Sequence, residues 1–265
     1  MRRTSPAVAA KNQGRAADLS TRHFAAYEPF IRADKFSSLG TSHRVYLART
    51  GRTHHLLSNG EYFAFLLFAF NRNVIDIREQ FPLPLDFTLA AAHQIGVNHP
   101  MTTKHRVALP MSVDFMLTMS DGTFKAYDFK QERFLSDKRT KEKLEVASLA
   151  TRQYGATYEI LTENSLPIAV CRNLDLIISV QGTQFQNADE TSAELKEWLL
   201  KSADSIEPLW NLCSRFDDEM GLKPGNALRI FFGLAYRREL ELRLSERSLT
   251  LQPMYRVMKA EATCY

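Results

Sequence analysis

Two neighbouring apolar segments of this chain carry charged residues inside them, and they constrain the fold more than any other feature. The segments are 111–119 and 123–130, separated by Ser-Asp-Gly, and their residues are typical of two β-strands. Asp114 lies within the first segment, whereas Asp128 and Lys130 lie within the second. Burial of such groups without a partner is unfavourable, so we expect them to compensate one another or to bind an ion.

The length of the connecting loop decides whether the two aspartates face each other. A two-residue turn would place Asp114 opposite Phe129, on the wrong face for Asp128. A three-residue loop that ends at Gly122 instead places Asp114 opposite Asp128. Glycine suits the left-handed conformation that such a loop requires at its last position. Both loops suit the local sequence, so the convergence of the aspartates is a prediction that depends on the longer loop.

Converging carboxylates are most simply satisfied by a divalent metal ion with hard oxygen ligands, which indicates phosphodiester chemistry. In that interpretation Lys130 positions or deprotonates the attacking water, or it neutralises charge that builds up on the phosphate. The sequence does not choose between these roles. The alternative is a polar strand face on which Lys130 forms an ion pair with either acid.

Composition narrows the class of protein. The 265 residues suit two modest domains, and 45% hydrophobic with 24% charged residues is ordinary for a soluble globular chain. The net charge of +4 permits a nucleic-acid partner without requiring one. The longest apolar run, 62–70, is too short to cross a bilayer, so no membrane association is expected. Three widely spaced cysteines indicate reduced thiols in the cytoplasm: Cys171, Cys213 and Cys264.

Periodicity predicts an α/β domain in which a helix, three strands, a second helix and a further strand follow one another. The last strand is reached through the second helix, as in a crossover connection. In the first strand, Ile75 and Ile77 are expected to point inward, and Asp76 and Arg78 outward. The stretch 86–106 looks irregular. The predicted elements are a helix at 57–70, strands at 74–81, 111–119 and 123–130, a helix at 136–154 and a strand at 157–161.

The predicted domain boundary lies near Pro167. Residues 1–22 are basic and rich in alanine and serine, and we expect a flexible tail there. Residues 23–167 would form the catalytic domain and residues 168–265 a second domain. Helices are predicted in that second domain at 191–201, 205–217 and 224–233, followed by a strand pair at 239–244 and 248–252, which together are typical of a winged helix.

Several of these motifs occur together in one known family. Glu61, Asp114, the Asp128-x-Lys130 pair and the run 73–83 (Asn-Val-Ile-Asp-Ile-Arg-Glu-Gln-Phe-Pro-Leu) closely resemble the TnsA-like transposon endonucleases, the partner subunits of heteromeric transposases. The run 73–83 is highly specific, whereas an Asp…Asp-x-Lys pattern alone occurs by chance. The resemblance covers nearly the whole chain and continues through 56–61, 141–145 and 160–163.

The resemblance implies a fold and an activity. The fold is a restriction-endonuclease-like mixed sheet flanked by helices, followed by a winged-helix-type domain. The activity is Mg²⁺-dependent cleavage of the 5′ strand of double-stranded DNA at each transposon end, with Mn²⁺ expected to substitute. A separate DDE-type recombinase cuts the other strand, and the C-terminal part engages an AAA+ ATPase regulator. Such a protein would act in the cytoplasm, associated with the nucleoid.

The resemblance also implies site roles. Glu61 and Asp114 would be metal ligands and Lys130 the catalytic lysine, whereas Asp128 occupies a position at which the family can carry a glutamine. We expect Asp114, Asp128 and the carbonyl of Phe129 to hold one or two Mg²⁺ ions. Glu61 has another interpretation, because Ser-Asn-Gly-Glu has capping-box spacing, and in that interpretation the glutamate simply caps a helix.

Basic residues near this site are candidates for contacts to DNA phosphates. Charged residues on the surface of a helix often contact only water, and this alternative stays open for the candidates on the predicted helix 136–154. A strand edge with an internal Arg–Glu pair is the simpler interpretation of Glu79, and Gln80 would contact the water shell of the metal. The candidate phosphate contacts are Arg78, Lys138, Arg139, Lys141 and Lys143.

Two other functions compete with the transposon endonuclease. A stand-alone restriction or repair nuclease would need its own surface for reading a target sequence. A non-catalytic subunit that bridges DNA and the ATPase would have no need of Lys130.

Overall fold

The protein divides into two compact units between Leu166 and Pro167, one residue before the boundary expected from the sequence. The side chains of Cys171 and Cys213 are buried, whereas Cys264 lies outside the described residues. No helix in those ranges is long and apolar enough to cross a membrane. The computed structural model describes residues 5–34, 41–103, 105–181, 188–245 and 248–258.

The first unit is a mixed α/β structure in which helices flank a four-stranded sheet, as the sequence predicted in outline. A separate two-stranded hairpin precedes the sheet. Its elements follow in this order: α1 (Pro6–Ser20), β1 (His43–Leu47), β2 (Arg52–Leu56), α2 (Asn59–Phe70), β3 (Val74–Pro82), α3 (Leu85–Gln94), β4 (Ser112–Met119), β5 (Phe124–Phe129), α4 (Lys138–Gln153) and β6 (Ala156–Leu161).

The main sheet has the strand order β3-β4-β5-β6. The first three strands are antiparallel, and β6 runs parallel to β5 after the crossover through α4, as predicted. Small and apolar side chains from α3, α4 and the sheet form the core, with Ala91, Met116, Ala126 and Ala147 among them. The core therefore fixes α4 against the face of the sheet that carries the central residues of β4 and β5.

The loop between β4 and β5 has three residues, which confirms the longer of the two predicted loops. The Met119 N–H donates to the Thr123 carbonyl at 2.9 Å, and Gly122 adopts a left-handed φ of +83°. Phe115 pairs with Tyr127 in the resulting register, so the next position along places Asp114 opposite Asp128.

Residues 6–20 form helix α1, so the expectation of a flexible tail at 1–22 is wrong for them. The helix begins after Ser5, whose hydroxyl accepts from the Val8 N–H, and Pro6 occupies its first turn. Ala9, Ala16 and Leu19 are buried. Composition alone concealed this apolar stripe because alanine supplies most of it. Residues 1–4 lie outside the described part.

Two further expectations about the first unit are wrong. Part of the stretch 86–106 is the helix α3, which buries Ala91 and Ala92 against α4. In β3 a register shift between Val74 and Asp76 reverses the expected orientation at the start of the strand. Asp76 is therefore buried, whereas Ile75 is 38% exposed.

The elements of the second unit in the ranges described are helices joined by irregular segments, and the predicted strand pair is wrong. Leu242 makes only an isolated bridge to Met258, and residues 249–251 form a single 3₁₀ turn. Leu240 and Leu249 are buried, whereas Leu251 is 64% exposed, so the alternating leucines here do not form the buried face of a strand pair. Residues 246–247 lie outside the described part. The helices are α5 (Ile168–Ser179), α6 (Ala188–Lys201), α7 (Leu209–Glu219), α8 (Asn226–Tyr236) and α9 (Met254–Val257).

Gly60, in the first turn of α2, is required by a close approach to β5. A Cβ atom at this position would overlap the aromatic ring of Phe129. The ring belongs to the last residue of β5, so a larger side chain at position 60 would force the ring or the start of α2 to shift.

We therefore predict that Gly60→Ala lowers the free energy of unfolding of the first unit by about 1–3 kcal/mol, as expected for overpacking. Gly14→Ala is the control, because Gly14 is a helical glycine with nothing within 4 Å of its added Cβ. Gly14→Ala should raise the free energy of unfolding by about 0.5–1 kcal/mol. Calorimetry measures both changes. Tryptophan fluorescence should be unaffected, since Trp198 and Trp210 both lie in the second unit. Equal effects of the two substitutions would contradict the packing explanation.

Candidate active site

The paired strands β4 and β5 bring the predicted aspartates into direct contact. The Asp114 N–H donates to Asp128 Oδ1 at 3.0 Å, and the Phe129 N–H donates to Asp114 Oδ2 at 2.8 Å. Each aspartate is thus held by the backbone of the opposite strand. The geometry follows from the register that the Gly122 loop imposes.

Lys130 lies immediately after β5 and joins the aspartates. Its Nζ donates to Asp114 Oδ2 at 3.1 Å and to the Phe129 carbonyl at 2.8 Å, and it lies 3.8 Å from Asp128 Oδ1. Burial lowers the pKa of Lys130, but the attraction of Asp114 and Asp128 outweighs it and raises the pKa above its usual value. The ion pair proposed as the alternative interpretation is therefore present, and Lys130 is protonated at neutral pH.

Glu61 both caps α2 and belongs to the acidic cluster. The Glu61 N–H donates to Ser58 Oγ at 3.1 Å, so Ser58 caps α2, while Glu61 Oε2 accepts at 3.0 Å from the N–H of Leu57, the residue before the cap. Gln80 Nε2 also donates to Glu61 Oε2, at 3.3 Å. The helix N-terminus thus faces the site, and the capping role is compatible with a role in the cluster.

Two polar residues belong to the cluster although they were not among the predicted catalytic residues. Gln80 Nε2 donates to Asp114 Oδ1 at 3.1 Å, and the Tyr158 hydroxyl donates to Asp128 Oδ2 at 2.6 Å. Tyr158 lies on β6, where it pairs with Ala126, two residues before Asp128. The crossover connection to β6 was predicted, but the register of β6 against β5 was not, so Tyr158 was missed. Gln80 stood within the specific run 73–83.

The cluster carries more negative than positive charge. Burial, followed by repulsion from Asp114, raises the pKa of Glu61 to about 7. The same two causes raise the pKa of Asp128 to about 6. Lys130 is the cation that opposes both shifts. Additional positive charge at the cluster would therefore be favourable.

The oxygen atoms of the cluster are of the chemical type that binds a divalent metal ion, although they are not arranged as a complete coordination shell. Asp114 Oδ2 and the Phe129 carbonyl already converge on one cationic group, the Lys130 ammonium. These are hard oxygen ligands of the type that Mg²⁺ prefers. Among the described residues, His, Cys, Asp and Glu side chains form no group of three with ligand geometry. Both oxygens of Asp128 already accept hydrogen bonds from protein groups.

A cavity of about 470 Å³ lies beside the cluster, and one of the basic residues predicted to contact DNA phosphates lines it. Asp114, Asp128, Lys130 and Lys143 line it, together with mostly apolar residues. Of the other predicted phosphate contacts on α4, Lys138 and Lys141 are exposed, whereas Arg139 forms an ion pair with Glu142 at 2.8 Å. Lys143 is thus the helical candidate that shares a cavity with the cluster.

The expectation that Arg78 contacts a DNA phosphate is wrong, because its side chain is fully buried. Its guanidinium carbon lies 4.6 Å from the centre of the Phe81 ring and 5.6 Å from that of Phe124. Within the described residues its three nitrogens have no hydrogen-bond partner, and Asp76 lies 4.0 Å away. Glu79 pairs with Arg52 of β2 and not with its neighbour Arg78.

The raised pKa of Glu61 predicts a pH-dependent stability in protein kept free of divalent metal with EDTA. The folded chain holds the Glu61 proton more tightly than the unfolded chain, with a pKa of about 7 against 4.5. Stability should therefore fall as the pH rises between these values. Glu61→Gln should remove that loss, so its stability relative to the parent should increase by about 1–3 kcal/mol between pH 5 and pH 8.

Thermal unfolding at the two pH values measures this difference. Asp121→Asn is the control, because hydrogen bonds from Thr123 lower the pKa of Asp121 and it stays ionised throughout the range. Its effect should be the same at both pH values. A Glu61→Gln effect that is equally constant would contradict the raised pKa.

Comparisons with known proteins show the family to which the chain belongs. Residues 71–163, which include Gln80, Asp114, Asp128 and Lys130, match the family described as TnsA-like endonuclease N terminal. The chain is also 34% identical to the transposon Tn7 transposition protein TnsA of Escherichia coli over 213 residues, which is 78% of this chain and 75% of that protein. The chain therefore belongs to the TnsA-like endonuclease family.

Proposed function

We propose that this protein is a Mg²⁺-dependent endonuclease that cuts the 5′ strand of DNA at transposon ends during cut-and-paste transposition. A separate recombinase subunit would cut the other strand. The family relationship supports the proposal. The observation that carries it is the position of the Lys130 ammonium, 3.1 Å from Asp114 Oδ2 and 2.8 Å from the Phe129 carbonyl, where a cation and hard oxygens meet beside a cavity.

Asp114, Glu61 and the Phe129 carbonyl are the groups that would hold the metal. When bound, Mg²⁺ would polarise the scissile phosphate and lower the pKa of the attacking water. Asp128 holds the Asp114 N–H, and the Tyr158 hydroxyl in turn holds Asp128. These contacts fix the orientation of Asp114, as supporting hydrogen bonds do for metal ligands generally.

Lys130 would stabilise negative charge on the phosphate during cleavage. Its raised pKa means that it keeps its proton at neutral pH, which favours this role over that of a general base. A fixed cation in a partly buried site stabilises developing charge more strongly than one in water. The cluster thus supplies both the oxygen ligands and a positive group.

The partners follow from the same proposal. Lys138, Lys141 and Lys143, with Arg139, would contact phosphates of double-stranded DNA and set affinity more than sequence preference. The helical second unit would engage the AAA+ ATPase regulator. The protein would act in the bacterial cytoplasm, at the nucleoid.

We predict that Asp114→Ala and Lys130→Ala each reduce nicking of transposon-end DNA by about 100-fold or more, as expected for loss of a group that stabilises transition-state charge. The assay combines the full chain with its recombinase, labelled end DNA and Mg²⁺. Lys125→Ala, on the same strand as the site, is the matched control and should cut at the parental rate. Parental rates in both site variants would exclude the nuclease assignment. Site-preferred cutting without the recombinase would instead favour a stand-alone nuclease.

Asp128→Gln should retain cleavage but require about 10–100-fold more Mg²⁺, the range seen when a group that supports a metal ligand is changed. The amide oxygen can still accept from the Asp114 N–H, but the charge is lost. Asp128→Asn is the control for length and should lose less, because it keeps the position of the oxygen. Magnesium titrations of the nicking rate measure both. Complete loss of cleavage in Asp128→Asn would show that the charge of Asp128 is indispensable.

A further inference from the structure

Gln80 combines complete burial with a strained backbone. It is 3% exposed and lies inside β3, yet its φ is +48°. Residues other than glycine rarely adopt this left-handed region, and within a strand it interrupts regular alternation. Such strain persists only where the surrounding structure enforces it, and it is concentrated at functional sites.

The side chain of Gln80 connects two of the acids in the cluster. Its Nε2 donates to Asp114 Oδ1 at 3.1 Å and to Glu61 Oε2 at 3.3 Å. Both acceptors are carboxylate oxygens, so only the NH₂ end of the amide can face them. One neutral group therefore links α2 to β4 through its two N–H donors.

The neighbouring backbone holds the kink in place. The Phe30 N–H donates to the Gln80 carbonyl at 3.3 Å, and the Tyr27 hydroxyl donates to the Glu79 carbonyl at 2.9 Å. On either side, Glu79 pairs with Phe115 and Phe81 with Val113, so the ladder with β4 resumes directly after the kink.

We propose that Gln80 is a positioning residue that fixes the relative orientation of the Glu61 and Asp114 carboxylates for a divalent cation, and that the strain at its backbone is retained for this purpose. The inference rests on the proposed function. A neutral amide suits the task, because it holds two repelling carboxylates without adding a charge that would compete with the cation. A lysine at this position would act as a permanent counter-ion.

The test compares Gln80→Ala with Gln80→Gly in the full chain. Both substitutions remove the amide, but only glycine relieves the left-handed φ. Calorimetric titration with Mn²⁺ should show affinity reduced about 10–100-fold in both variants, as for the loss of other groups that orient metal ligands. Thermal unfolding without metal should place the glycine variant about 2–4 °C above the alanine variant.

Ile75 provides the matched control on the same strand, because it lies in β3, is partly exposed and has no left-handed φ. There Ile75→Gly should unfold at a lower temperature than Ile75→Ala, the usual order in a strand, and both should bind Mn²⁺ as the parent does. A reversed order at position 80 therefore reports the strain and not a general tolerance of glycine.

Two results would overturn the inference. One is parental Mn²⁺ affinity in both Gln80 variants. The other is an affinity that follows thermal stability from variant to variant, as a merely structural role requires. If the parent protein itself neither binds Mn²⁺ nor nicks end DNA, the proposed function fails. If the parent does both and the variants equal it, only the role of Gln80 fails.

Discussion

The buried carboxylate of Glu79 is the interaction on which the placement of the site depends. It accepts two bonds from Arg52, at 2.8 and 2.7 Å, one from His54 at 2.9 Å and one from the His55 N–H at 3.0 Å. Burial opposes its ionisation, but the attraction of His54 and Arg52 holds the pKa of Glu79 well below its usual value. All three partners lie on β2, which leads directly into α2 and Glu61. Removal of either Arg52 or Glu79 would leave the other charge buried and uncompensated, so the pair ties β2 to β3.

The acidic cluster has an excess of negative charge. This excess destabilises the folded state and at the same time favours the binding of a cation. Glu61, Asp114 and Asp128 share the cation Lys130, and burial together with repulsion from Asp114 raises the pKa values of Glu61 and Asp128. In the absence of metal this arrangement weakens the folded state at neutral pH. The same repulsion increases the free energy released when a divalent cation binds, because the cation relieves it. The loss of stability expected without metal and the proposed affinity for metal would therefore have a common origin.

The residues that lie on regular strands could be placed from the sequence, because side chains alternate between the two faces of a strand. The residues near an irregularity in a strand could not be placed in this way. Asp114 and Asp128 lie on regular strands joined by a loop that ends at Gly122, so alternation and loop length determined their pairing. The same alternation gave the wrong orientation for Ile75, because a register shift adjoins it. It also failed at 249–251, where leucines at strand spacing form a 3₁₀ turn that buries Leu249 and exposes Leu251. Pattern records which residues are apolar, but it does not record which partner covers them.

The left-handed conformation at Gln80 explains how β3 can contribute residues both to the packing of the first unit and to the acidic cluster. Residues an odd number apart on a regular strand point to opposite faces, yet the Arg78 guanidinium lies over the ring of Phe81. The change of face occurs at Gln80, the residue between Glu79, which anchors β2, and Phe81, which enters the core with Tyr154. A regular strand would give Phe81 the same face as Glu79 and leave the core without it. The left-handed conformation of Gln80 thus allows β3 to place Glu79 in an ion pair and Phe81 in the hydrophobic core, while the side chain of Gln80 itself reaches the acidic cluster.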